Sequence, residues 1–127
     1  MAVIDTDILI EFSKGNKTVV AELEELNKTE QVSITVFTLE EFLFGLYNLG
    51  KKEKLAAGLE LLRRINTYNY TKKEVGTVAR LRVQLSKEGK RIGKYDECIA
   101  GICIANNEPL FTLNKKQFER VPGLKLA

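Results

Sequence analysis

The chain has 127 residues and a mass of 14.4 kDa, with a formal net charge of +3, 44% hydrophobic and 29% charged residues. That balance excludes disordered, collagenous and membrane-embedded classes, and the length suits a single domain, residues 1–127, with one real core. Histidine is absent, which excludes imidazole general-base catalysis, Ser-His-Asp and Cys-His nucleophile systems, and zinc sites that need imidazole.

Residues 2–5 (AVID) read as a short buried strand ending in an acid, and the ILIEF pattern after Asp7 as a short helix stopped at Gly15. Asn16 caps a second helix, with Val19, Val20, Leu23 and Leu26 at helical spacing. The β-branched run 31–37 (QVSITVF) reads as a second buried strand. Thr38 opens a third helix with Phe42, Leu46 and Leu49 facing inward and Gly50 at its end. Residues 51–66 form an amphipathic helix on Leu55, Leu59, Leu62 and Ile65.

TYNY at 67–70 is a third, weaker strand, and Thr71 with Glu74 makes a capping box for a helix running to about Gly89. Residues 95–106 are apolar on almost every side, the pattern of a central buried helix. PLFT at 109–112 reads as a fourth strand, followed by a polar turn at Asn114 and a short helical piece to Phe118. LKL at 124–126 adds a final edge strand. Short strands alternating with helices imply right-handed βαβ units. The fold class is α/β: a parallel sheet of four to five short strands covered by helices on both faces.

Cys98 and Cys103 sit five residues apart on the buried helix, about 140° around its axis, so no mutual disulfide is expected. Buried free thiols fit a reducing cytoplasm. Asp5 and Asp7 interrupt the only apolar start and no long apolar run follows, so neither a secretory leader nor a membrane span is expected.

In open parallel sheets the ligand site lies beyond the carboxyl ends of the strands. The polar residues there are Asp5 after the first strand, Glu41 one turn into the helix after the second, Asp96 opening the buried helix, and Asn114 after the fourth. Three carboxylates and an amide make a hard-oxygen ligand set for Mg²⁺ or Mn²⁺. Two carboxylates about 4 Å apart repel by roughly 4 kcal/mol at an effective dielectric near 20. Such a cluster persists only if a divalent cation or raised pKa values offset the repulsion.

Each residue also has a plain structural reading. Glu41 is N3 of a capping box begun by Thr38, Asp96 an N-cap, Asp7 a first-turn helix acid, and Asn114 a turn residue. Gly89-Lys90-Arg91-Ile92-Gly93-Lys94 looks like a phosphate-binding loop but lacks the following Ser or Thr and a preceding strand.

Taken in order, AVIDTDILIEF, ITVFTLEEFLFG and IGKYDECIAGICIANNEPLFTLNKKQFERVPGLKL resemble a PIN domain, and within it the toxins of VapBC-type toxin–antitoxin pairs. Counting four back from Gly45 selects Glu41 over Glu40. The resemblance implies a PIN-like α/β/α fold and a Mg²⁺- or Mn²⁺-dependent endoribonuclease with Asp5, Glu41 and Asp96 as metal-site acids and Asn114 beside them. It also implies a homodimer and a small VapB-type antitoxin that covers the acidic site, for which apolar residues near Phe12, Phe42, Phe44 and Tyr47 are candidates. One departure is Asn114, with Lys115, Lys116, Gln117 and Phe118 after it, where related proteins often carry an acid. Thr6 and Thr112 are candidates to orient ligands or substrate, and Arg91 and Lys94 to guide the RNA backbone. The alternative reading is a PIN-like scaffold that binds RNA or protein with little or no cleavage.

Overall fold

A computed structural model describes residues 1–127. Four strands, β1 (Ala2–Ile4), β2 (Val32–Thr35), β3 (Asn66–Tyr68) and β4 (Leu110–Phe111), form a fully parallel sheet in the order β3-β2-β1-β4. The expected fifth strand is reduced to one parallel bridge, Leu110 with Leu126. Seven helices connect and cover the strands: α1 (Thr6–Ser13), α2 (Lys17–Asn27), α3 (Val36–Leu49), α4 (Lys52–Arg63), α5 (Lys72–Glu88), α6 (Lys94–Ala105) and α7 (Lys115–Phe118).

Strand residues alternate between two faces, so each face of the sheet builds its own core. Val3 and Leu110 pack with Leu81, Leu85, Ile99 and Phe118, residues of α5, α6 and α7. Ile4, Ile34 and Phe111 pack with Ile8, Leu9, Val19, Leu23 and Phe42, residues of α1, α2 and α3. This is the three-layer α/β/α arrangement expected from the alternation of elements. The α5–α6 contact is close because α6 carries Gly101: a Cβ there would meet Val78 Cγ2 at 2.3 Å and Val78 Cα at 3.3 Å. Both cysteines are buried and free.

Two helix starts differ from the expected ones, and both differences bear on the acids. The second strand stops at Thr35, whose hydroxyl accepts from the Thr38 N–H at 3.2 Å and caps α3. The helix therefore begins at Val36 and not at Thr38, and Glu41 is not the N3 residue of a capping box. Likewise α6 begins at Lys94 after Gly93, whose φ of +106° suits glycine, so Asp96 lies inside the first turn and is not the N-cap. Asn16 caps α2 by accepting from the Val19 N–H, and the Thr71–Glu74 capping box of α5 is present, both as the sequence predicts.

Candidate active site

The sheet order changes direction at β1: β2 lies on one side and β4 on the other. Ligands of open α/β sheets bind beyond the strand ends at such a switch point. The residues leaving β1 and β4 there are Asp5 and Thr112. The Asp5 N–H donates to the Phe111 carbonyl at 2.9 Å, which ties the two strand ends together.

Asp5 is 6% exposed and both its carboxylate oxygens are held. Oδ1 accepts from the Thr6 N–H at 2.8 Å, making Asp5 the N-cap of α1, and Oδ2 accepts from the Thr112 hydroxyl at 2.8 Å. The Thr112 oxygen in turn accepts from the Asn114 N–H at 3.0 Å. Burial pushes the Asp5 carboxyl above its ordinary range, against the pull of these hydrogen bonds.

Glu41 is placed from α3. Thr6 Oγ1 lies 2.9 Å from Glu41 Oε1 and 3.0 Å from Thr38 Oγ1. A hydroxyl has one proton and a carboxylate only accepts, so Thr6 donates to Glu41 and receives from Thr38. Asp96 stands half-buried at the start of α6, its Oδ2 accepting from the Gln117 amide, which also reaches the Ile92 carbonyl at 3.4 Å. The Asp96 carboxyl is raised by burial first and then by the negative charge of Asp5, with Glu41 adding a smaller share. Asp5, Glu41 and Asp96 thus share one electrostatic neighbourhood although 91 residues separate the first from the last.

Asp7, read from sequence only as a helix acid, joins the same cleft. Its Oδ2 accepts from the Leu113 N–H at 3.2 Å and stands 3.5 Å from the Thr112 hydroxyl. Its Oδ1 is buried without any hydrogen-bond partner. Burial and the neighbouring Asp5 push its carboxyl up to about 6. No local signal marks it, because only the docking of α1 beside the end of β4 brings this first-turn acid to the Leu113 N–H.

The remaining candidates fall elsewhere. The Asn114 side chain is exposed and makes no hydrogen bond, its contribution being the backbone N–H to Thr112. Gln117, not Asn114, is the amide that reaches an acid. Arg91 is engaged by Glu97, which is 0% exposed, through contacts of 2.6 and 2.8 Å. Arg82 reaches the same carboxylate at 3.2 Å. Burial pushes Glu97 up, yet the hydrogen bonds from Arg91 and the Ile92 N–H outweigh it and hold the carboxyl low. Lys94 is exposed, with its ammonium free. Thr6 and Thr112 both spend their hydroxyls on carboxylates.

No three of these carboxylates stand close enough in this side-chain arrangement to chelate one ion. The donor chemistry nevertheless fits a hard divalent cation. The set is all oxygen, Asp7 Oδ1 is an orphaned buried acceptor, and Glu41 Oε2 and Asp96 Oδ1 take no partner from the protein. A groove of about 500 Å³ adjoins Glu41 between α1, α3 and α4, with Phe12, Phe42, Leu46, Gly58 and Leu61 in its walls. Phe12 and Phe42, two of the four aromatics expected there, line it; Phe44 and Tyr47 are exposed outside it.

Fold and site together define a parallel α/β domain with an acidic cleft at its topological switch point. The chain belongs to the PIN domain family, whose model matches residues 2–124. It is 32% identical over 125 residues to ribonuclease VapC2 of Rickettsia felis, covering 97% of this chain and 93% of that relative. It is 27% identical to the tRNA(fMet)-specific endonuclease VapC of Salmonella typhimurium, over 97% of this chain and 93% of the relative. The crystal structure of Rickettsia felis VapBC2 bound to a promoter DNA fragment superimposes with a TM-score of 0.89 at 30% identity, covering 99% of this chain and 96% of that one. DNA-bound VapBC from Salmonella typhimurium gives a TM-score of 0.89 at 26% identity, covering 100% and 98% of the two chains.

Proposed function

We infer that this chain is an endoribonuclease toxin of a type II toxin–antitoxin pair, dependent on Mg²⁺ or Mn²⁺ and silenced by a VapB-type antitoxin. The observation that carries the metal reading is the convergence of Asp5, Asp7, Glu41 and Asp96 on one cleft with a buried carboxylate oxygen left unpaired. The ribonuclease names of full-length relatives and the VapBC complexes among similar structures support the substrate class and the partner. Asp5, Glu41 and Asp96 would hold the metal, and Asp7 would add a fourth carboxylate beside them.

Held by those residues, a divalent cation would offset their negative charge and lower the pKa of a water beside an RNA phosphodiester. The chain's own residues preset the cleft. Thr6 and Thr112 each hold one oxygen of Glu41 and Asp5, and Gln117 holds one of Asp96, so the acids are gathered in the cleft and must still shift their side chains to chelate one ion. The free Lys94 ammonium at the start of α6 receives the RNA backbone, while Arg91 serves the fold. Attack by water, not by the ribose 2′-hydroxyl, leaves a 3′-hydroxyl and a 5′-phosphate. The groove beside Glu41 seats an apolar antitoxin segment that also shields the acids. The protein acts as a homodimer in the cytoplasm, a compartment that suits its two buried free thiols. No helix is long and apolar enough to cross a membrane.

A second reading, an RNA- or protein-binding scaffold without cleavage, is favoured by the lack of a preformed three-carboxylate chelate. One experiment separates them: antitoxin-free protein and Asp96→Asn are incubated with an end-labelled structured RNA pool in Mn²⁺ and in EDTA. Cuts that need both metal and Asp96 are expected. RNA binding without cuts, unchanged in Asp96→Asn, would select the scaffold.

A further inference from the structure

Tyr95 stands immediately before Asp96 and is 52% exposed. Exposed aromatic rings usually sample several rotamers, but this one is held at two points. Its hydroxyl donates to Glu40 Oε1 at 3.1 Å, across the seam between α6 and α3. The ring packs on Phe37 in a T-shaped arrangement at a centroid distance of 5.7 Å and an angle of 69°, and Phe37 packs on Tyr70 in the same manner at 5.0 Å and 72°. The polar end of the ring is therefore satisfied within the chain, and what remains open to solvent is apolar ring surface. That surface lies on the rim of the acidic cleft, between Asp96 on α6 and Glu40–Glu41 on α3, with the free Lys94 ammonium one residue away.

We propose that Tyr95 is a stacking platform for an unpaired nucleobase next to the scissile phosphate. This rests on the ribonuclease reading, and it assigns one residue of this chain to the base beside the cut. A flat base meets the ring face without bringing charge to it, while the attached phosphate points to Lys94 and away from the Glu40 carboxylate. Every base has a π-face, so the contact selects for unpaired RNA more than for sequence.

The test compares wild type, Tyr95→Phe and Tyr95→Ala on short unpaired RNAs. Binding of fluorescent oligouridine and oligoadenosine is measured in EDTA, and cleavage in Mn²⁺ of an RNA spanning a mapped cut, intact or with one base removed at each position in turn. Tyr95→Ala should weaken binding and lower kcat/KM about ten-fold, and Tyr95→Phe should stay within about two-fold, because the ring face carries the effect. Removing one particular base should cost wild type the same about ten-fold and cost Tyr95→Ala nothing further. Additive losses, or Tyr95→Ala binding and cutting like wild type, would overturn the platform. So would a drop in oligomeric mass for Tyr95→Ala with base removal harmless to wild type, which would give the ring to a second copy. Failure of the ribonuclease reading looks different: wild type cuts nothing, while the binding comparison in EDTA still decides for or against the ring.

Discussion

At the scale of single residues, the acids of the cleft are the unstable part of the molecule by design of their surroundings. Asp5, Asp7 and Asp96 all have carboxyls raised above their ordinary range, with burial the first cause in each. A raised acid holds its proton in the folded chain at a pH where the unfolded chain has released it. Stability without metal therefore falls as pH rises from the ordinary carboxylate range through the folded value, about 6 for Asp7. We expect thermal midpoints in EDTA to climb as pH drops from about 7 to about 5, the window set by that value. Asp7→Asn should raise the midpoint at the upper end and flatten the climb, while shrinking the further stabilisation by Mn²⁺. An unchanged pH profile in thermal melts would remove Asp7 from the cleft's electrostatics. Glu74 and Glu97 are shifted the opposite way, so their stability is lost only at still lower pH.

Elements place those residues, and small differences at their ends decide what an acid can do. The sequence pattern puts the helix start at Thr38, which is followed by Leu-Glu-Glu, whereas Thr35 is followed by the β-prone Val36 and Phe37. The choice falls to Thr35 because β2 runs out of pairing there: its last register partner is Tyr68 of β3. The chain then turns, the Thr35 hydroxyl takes the Thr38 N–H, and Thr38 is freed to hold Thr6. Thr35→Ala should cost about 1 kcal/mol in urea unfolding, the usual worth of an N-cap. Because α3 carries Glu41, the same substitution should loosen Glu41 and weaken Mn²⁺ binding, measurable by titration calorimetry. A stability loss with metal binding intact would mean that the cap serves the helix alone. The strand ends were legible only to within a residue or two, as expected where three-residue strands depend on neighbours for their pairing.

At the scale of the whole molecule, the basic segment before Asp96 divides into two jobs that proximity in sequence conceals. Arg91 and Arg82 enclose Glu97, whose carboxylate is fully buried, and so fasten the 89–94 loop and α5 to the start of α6. Lys94 faces solvent. Arg91→Ala should lower the denaturation midpoint clearly, because it strands part of a buried charge. Lys94→Ala should leave the midpoint alone and weaken RNA binding, with the salt dependence of affinity reduced by about one counterion. Equal effects of the two substitutions on stability would show that the division is wrong.

What the amino-acid sequence determined by itself is the alternation of short apolar strands with amphipathic helices, the buried character of α6, and an acid at the end of the first strand. These are readable because each rests on local periodicity or on a residue's place directly after a strand. The family resemblance joined Asp5, Glu41 and Asp96 to one another. What only the tertiary structure decided is which polar side chains reach them. Asp7 and Gln117 bond to the groups of the cleft, Asn114 reaches it through its backbone N–H, and Arg91 is spent on Glu97, because their directions are set by how α1, α6 and α7 dock at the crevice between β1 and β4. That crevice exists only once β4 crosses to the free side of β1, a long-range pairing with no local signature in the chain.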